Sequence, residues 1–228
     1  MQAAVIFDVD GVLLELTSAE EEIFFATLAA YVPAHELSRD WNSYRIRNDD
    51  DIITEILERY GRPATLKQEI VERYLATLQT ALADGSLTSP KIPGADQLVQ
   101  SLAPHVVLGI ATANLRQAAA LRLANAGLWH PLKHHATGAD GGGHKHQILA
   151  RLLKTLPLAR DRIVYVGDNI NDVTAGRENG VHFIGFSTDP LRREALANHG
   201  ATNFSSSHTT TLDLIRHILG VCFGQVAE

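Results

Sequence analysis

Apolar positions follow two rhythms along this chain. The run Ala3-Ala4-Val5-Ile6-Phe7 is short, continuous and stopped by Asp8 and Gly11, which predicts a strand buried on both faces. From there to Ser86 the rhythm is helical. Thr17 and Ser18 stand three residues before Glu20 and Glu21, capping-box spacings that open a helix through Tyr31. Asn48 and Asp49 can cap a second helix, carried by Ile52, Ile53, Ile56 and Leu57 to Gly61. Thr65 with Gln68 predicts the start of a third, whose stripe includes Ile70, Tyr74, Leu78 and Leu82 and which ends near Gly85.

After Pro93-Gly94 helices and strands alternate. Helix is predicted for Ala95 to Leu102, Asn114 to Ala126, His144 to Leu156, Ile170 to Asn179, Leu191 to His199 and Thr211 to Leu219. Strand is predicted for Val106 to Ala111, for a short piece near His135-Ala136, for Ile163 to Val166 and for His182 to Ile184. Such alternation implies an α/β fold: a Rossmann-like, doubly wound parallel sheet with helices on both faces. The all-helical block interrupts it after the first strand. The expected division is therefore a core of residues 1–14 and 87–228, with residues 15–86 as an inserted helical cap.

Composition narrows the classes. The 228 residues suffice for one large domain or a domain with a modest insert. A net charge of -6 offers no basic surplus to neutralise phosphates, so no nucleic-acid partner is expected. No apolar stretch approaches the ~20 residues of a membrane span, and the N-terminal segment lacks the basic region of a signal peptide. Cys222 is the sole cysteine, so no internal disulfide can form, and a cytoplasmic protein is expected. Monomer and dimer are both compatible with the sequence.

In an open parallel sheet, ligands bind beyond the carboxyl ends of the strands. Those ends carry Asp8-Val9-Asp10-Gly11, Thr112-Ala113-Asn114 and Gly167-Asp168-Asn169-Ile170-Asn171-Asp172; Gly141-Gly142-Gly143-His144-Lys145 precedes a helix between two of them. Up to four carboxylates thus converge with one hydroxyl and one ammonium. Such a set needs a cation, and hard oxygen donors suit Mg²⁺.

These segments, in this order, resemble the motifs of the haloacid dehalogenase superfamily, whose commonest members are phosphatases. Asp8-Val9-Asp10-Gly11-Val12 resembles the first motif, Thr112 the second, Lys145 the third, and Gly167-Asp168 with Asp172 the fourth. The stretch Arg47-Asn48-Asp49-Asp50-Asp51-Ile52 resembles a cap pattern of phosphoglycolate-phosphatase-like members, with Asn48 where Thr is usual. Thr112-Ala113-Asn114-Leu115 resembles a T-G-N-L variant of the same group. Two departures are His146 in place of a proline, and Glu15-Leu16 where many relatives carry Asp-Ser or Asp-Thr.

The resemblance implies a Mg²⁺-dependent phosphatase acting on a small phosphate ester. Asp8 would be the nucleophile that forms an aspartyl-phosphate, and Asp10 the general acid and base. Mg²⁺ would be held by Asp8, Asp168 and the Asp10 main-chain carbonyl. The phosphate would meet Gly11, Thr112, Ala113, Asn114 and Lys145, with Asp172 orienting Lys145 or the metal's waters. Arg45 and Arg47 are candidates for a second anionic group of the substrate. A phosphomutase shares all four motifs. A haloacid dehalogenase needs neither metal nor a second Asp, and a non-catalytic binding protein would be expected to have lost one of the two. His130, His134, His135, His144 and His146 lack zinc-site spacing and are expected in a wet loop; Gly141 to Gly143 is expected to be a flexible loop.

Overall fold

The computed structural model describes residues 2–221, so Cys222 lies outside the described residues. Its centre is β1 (Ala4–Phe7), all four residues fully buried. β1 pairs in parallel with β2 (Val107–Ala111) on one side and β4 (Ile163–Gly167) on the other, Phe7 lying opposite both Ile110 and Val166. With β3 (Ala136–Thr137), β5 (His182–Phe186) and β6 (Phe204–Ser205) the sheet runs β3-β2-β1-β4-β5-β6. The chain steps outward to β2 and β3, then returns to lay β4 beside β1. This reversal opens a crevice at the carboxyl ends of β1 and β4.

Successive side chains of β1 explain its unbroken apolar run. Val5 and Phe7 enter one core with α4 (Ala95–Leu102), α5 (Arg116–Asn125) and α10 (His208–Leu219). Ala4 and Ile6 enter another with α7 (Lys145–Leu153) and α8 (Ile170–Glu178), while α6 (Trp129–Leu132) precedes β3 and α9 (Pro190–Asn198) lies between β5 and β6. The two-residue β6 was not among the expected strands; its Asn203 to Ser207 surroundings are too polar to show a period. α10 begins three residues before the expected Thr211, because the Ser207 hydroxyl accepts from the Thr210 N–H at 3.2 Å.

The helical block holds α1 (Ser18–Leu28), α2 (Asp49–Arg59) and α3 (Leu66–Ala83). Thr17 caps α1 and Asn48 caps α2, as expected. Thr65 makes no capping bond: the chain enters α3 through a turn in which Pro63 and Ala64 carbonyls accept from Leu66 and Lys67, and Gln68 turns to Glu72 instead. Phe24, Phe25, Ile52, Ile56 and Leu78 form the block's own apolar cluster, which extends into Leu115 and Ala118 at the start of α5. α5 is thus buried on two sides, against the sheet and against the block. The two connecting segments run side by side, Leu14 bridging Lys91 antiparallel and Glu15 N–H donating to the Pro90 carbonyl at 2.9 Å. Among the described residues no helix is long and apolar enough to cross a membrane.

Candidate active site

A cavity of about 480 Å³ lies where the helical block covers the carboxyl ends of the strands. Asp8, Asp10, Gly11, Thr112, Ala113, Asn114, Lys145, Asp168 and Asp172, drawn from four separate segments, all line it, as does Arg47. Arg45 does not. Its side chain is 66% exposed and pairs with Glu55 at 3.5 Å and with Glu58, so the structure removes it from the site.

Asp8 follows β1 directly and its N–H donates to the Val166 carbonyl of β4 at 2.9 Å. Asp168 follows β4, so adjacent strands deliver the two carboxylates to one place. Asp8, Asp168 and Asp172 each offer an oxygen within 4.8 Å of the others. Lys145 opens α7, yet its side chain is only 8% exposed, turned inward to Asp8 at 2.7 Å and Asp172 at 3.3 Å. Both oxygens of Asp172 are occupied. One accepts from the Tyr165 hydroxyl at 2.6 Å and from Lys145; the other accepts from the Asp168 and Asn169 N–H groups at 3.2 and 3.0 Å. Asp172 is therefore a brace for Lys145 and for the turn after β4, which leaves Asp8 and Asp168 as the carboxylates with free capacity.

Two glycines make this crowding feasible. Gly11 has φ of +72°, and a Cβ there would come within 2.3 Å of an Asp168 oxygen. Gly167 would drive a Cβ to 2.4 Å from that of Asp172.

Electrostatics favour a further positive charge here. Burial pushes Asp8 well above the usual carboxylate range; Lys145 opposes this, while Asp172 and Asp168 add to it. Asp168 is pushed up to about 6, by burial first and Asp172 next, against Arg192 and Lys145. Burial acts to lower Lys145, but Asp172 and Asp8 outweigh it and hold the ammonium protonated. Three buried carboxylates thus face one buried ammonium and the half-exposed Arg192, which pairs with Asp168. The all-oxygen donor set and this deficit of positive charge fit a hard divalent cation.

Asp10 is held apart from Asp8 by a different cation, Arg122, at 2.6 Å. Arg122 also donates to the Asn114 side-chain oxygen at 2.8 Å and faces Glu20 of α1. The Thr112 hydroxyl accepts from the Asn114 N–H at 3.1 Å, and the Ala113 carbonyl accepts from the Asp49 N–H at 3.1 Å. The acidic run at the start of α2 is not a solvated face. Asp49 accepts from the Leu115 N–H at 2.8 Å, Asp50 pairs with Lys67 at 2.6 Å, and Asp51 accepts from the Gly143 N–H at 2.7 Å. The Gly141 to Gly143 loop is thereby tied to α2, and Asn48 adds a bond to the Gly143 carbonyl at 2.9 Å. His144 and His146 stack on each other at the cavity edge, and His130 and His134 are exposed. Arg122, Tyr165 and Arg192 were not anticipated. Only Arg122 carries a legible signal, a charge on the apolar stripe of a helix between Ala119 and Leu123.

A sequence profile described as haloacid dehalogenase-like hydrolase matches residues 5–186. The chain belongs to that family. No curated protein matches the sequence. Among solved structures, CbbY of Rhodobacter sphaeroides in complex with phosphate is 20% identical at a TM-score of 0.69, over 91% of this chain and 95% of that one. A hydrolase of Pseudomonas syringae is 19% identical at 0.68, over 96% and 99%. A haloacid dehalogenase-like hydrolase of Streptococcus pneumoniae is 17% identical at 0.64, over 93% and 98%. At these identities the likeness establishes the fold: a six-stranded parallel sheet flanked by helices.

Proposed function

We propose that this haloacid dehalogenase-like hydrolase is a Mg²⁺-dependent phosphatase that cleaves a small phosphate ester through an aspartyl-phosphate on Asp8. The observation that carries the reading is the separation of the two neighbouring carboxylates. Asp8 pairs with Lys145 and Asp10 with Arg122, so each keeps its own counter-ion and environment. A haloacid dehalogenase has no use for such a second carboxylate. CbbY adds support: it has been crystallised with phosphate, and a mutant of it with xylulose-(1,5)bisphosphate.

In this reading an Asp8 oxygen attacks phosphorus while the ester P–O bond breaks, and Asp10 gives a proton to the departing alcohol. Asp10 then takes a proton from a water that attacks the same phosphorus, and orthophosphate leaves Asp8. Lys145, the Thr112 hydroxyl and the main-chain N–H groups around Ala113 and Asn114 bind the phosphoryl oxygens. Asp8, Asp168 and the Asp10 main-chain carbonyl would hold Mg²⁺, whose charge offsets the repulsion between an anionic nucleophile and an anionic substrate. Asp172 keeps Lys145 in place. Arg47, on the block's side of the cavity, is the remaining candidate for a second anionic group of the substrate. The enclosing block favours small metabolites over protein substrates.

The test is phosphate release from a panel of phosphorylated metabolites, with and without Mg²⁺. Asp8→Asn should lower release by on the order of 10³-fold or more while leaving the fold unchanged. Release that survives the substitution, or that is indifferent to Mg²⁺, overturns the reading.

A further inference from the structure

Arg122 is buried to 1% exposure in the second half of α5. Burying a guanidinium is expensive unless its contacts return the loss. Here they come from several parts of the chain. One terminal nitrogen donates to the Asn114 side chain at 2.8 Å. The other donates to Asp10 Oδ1 at 2.6 Å and to the Glu15 carbonyl at 3.5 Å, and Nε faces the Glu20 carboxylate. Burial acts against the charge, but Asp10 and Glu20 outweigh it, so the group stays protonated. Asp10 reaches it from the loop after β1, Glu20 from α1 and Asn114 from the turn before α5.

A tether between block and core would need only Glu20 and the Glu15 carbonyl. The bond to Asp10 does something else. Among the described residues no other protein group bonds the Asp10 carboxylate, whose side chain is 23% exposed and lines the cavity. Without Arg122 that carboxylate would be free to rotate about χ2.

We propose that Arg122 is a positioning residue for Asp10: its guanidinium, held in plane by Asn114 and Glu20, grips Oδ1 and so presents Oδ2 to the leaving-group oxygen and afterwards to the attacking water. This rests on the phosphatase reading above. Arg122 touches neither substrate nor phosphorus; it acts through Asp10. Loss of the grip should slow both proton transfers and spare the attack by Asp8 itself.

The consequence depends on the leaving group. An alkyl phosphate needs a proton on the departing oxygen as the P–O bond breaks. Nitrophenyl phosphate does not, because nitrophenolate departs as the anion. In Arg122→Met, turnover of an alkyl phosphate should fall by on the order of 10²-fold with KM little changed. With nitrophenyl phosphate the same variant should release a rapid burst of about one equivalent of nitrophenolate per active site. A slow phase follows, limited by hydrolysis of the aspartyl-phosphate. Arg122→Lys should recover part of the alkyl-phosphate turnover. Because Arg122→Met leaves Glu20 buried without its partner, the Arg122→Met, Glu20→Gln double variant removes that unpaired acid and should show the same burst.

A merely structural role would lower burst and slow phase together, in proportion to alkyl-phosphate turnover. That outcome, or undiminished alkyl-phosphate turnover in a folded variant, overturns the inference and leaves the phosphatase reading standing. Wild type inactive on both esters with Mg²⁺ overturns the reading and the inference with it.

Discussion

Asp8 and Asp10 stand one residue apart at the end of a buried strand, where their mutual repulsion should be at its worst. The structure relieves it by giving each a cation from a different helix, Lys145 from α7 and Arg122 from α5. Gly11 completes the arrangement. Its absent side chain leaves the space that Asp168 occupies, so the glycine admits the neighbouring carboxylate, in addition to letting the chain turn. Gly11→Ala should cost about 2 kcal/mol or more, from the left-handed backbone alone about 1–2 and the rest from displacing Asp168. Urea unfolding would measure the cost, and Mg²⁺ titration should show weakened binding in the same variant. Unchanged stability and affinity would mean that Asp168 has other room to occupy.

At the scale of elements, α2 docks through its first turn. Three successive aspartates point in three directions, to α5 through the Leu115 N–H, to α3 through Lys67 and to the loop before α7 through the Gly143 N–H. Their sequence run suggests an exposed acidic patch, and the opposite is found because each has a partner far along the chain. Asp51→Ala should cost about 1–2 kcal/mol, the value of a part-buried hydrogen bond to a charged acceptor. Amide exchange at Gly143 should accelerate by a similar free energy. An effect on stability without faster exchange there would place the loss at the helix terminus instead. The periodic elements themselves were legible: every α-helix of the block and every strand longer than two residues lies where the apolar rhythm puts it. The cap of α3 was not, because Thr65 competes with a preceding Pro63 turn that satisfies the same N–H groups.

For the molecule as a whole, the seam between block and core has a buried polar part beside its apolar contacts. Glu20 and Asp49 stand there with Arg122, and burial pushes them to about 8 and about 7 respectively. Both values lie above the ordinary carboxylate range, so the folded protein binds protons that the unfolded chain has already released. Their stabilising contribution is present below pH about 4 and is lost as pH rises through about 7 to 8. The melting temperature should therefore fall between pH 5 and pH 8, and Glu20→Gln with Asp49→Asn should flatten the slope. A melting temperature that rises over this interval would show the seam to be fully ionised and paired. Local periodicity and strand-end chemistry by themselves determined the doubly wound sheet, the interrupting helical block and the edge at which Asp8, Asp10, Thr112, Lys145, Asp168 and Asp172 gather. Those signals are short-range, set by the two repeat lengths of backbone hydrogen bonding. Only the tertiary structure decided which charges share a partner. Arg122 meets Asp10 across 112 residues of chain, Tyr165 and Lys145 take up Asp172, and Arg45 turns away to Glu55 and Glu58. Pairings of that kind depend on where burial strips water from a charge, and burial is a property of the packed whole.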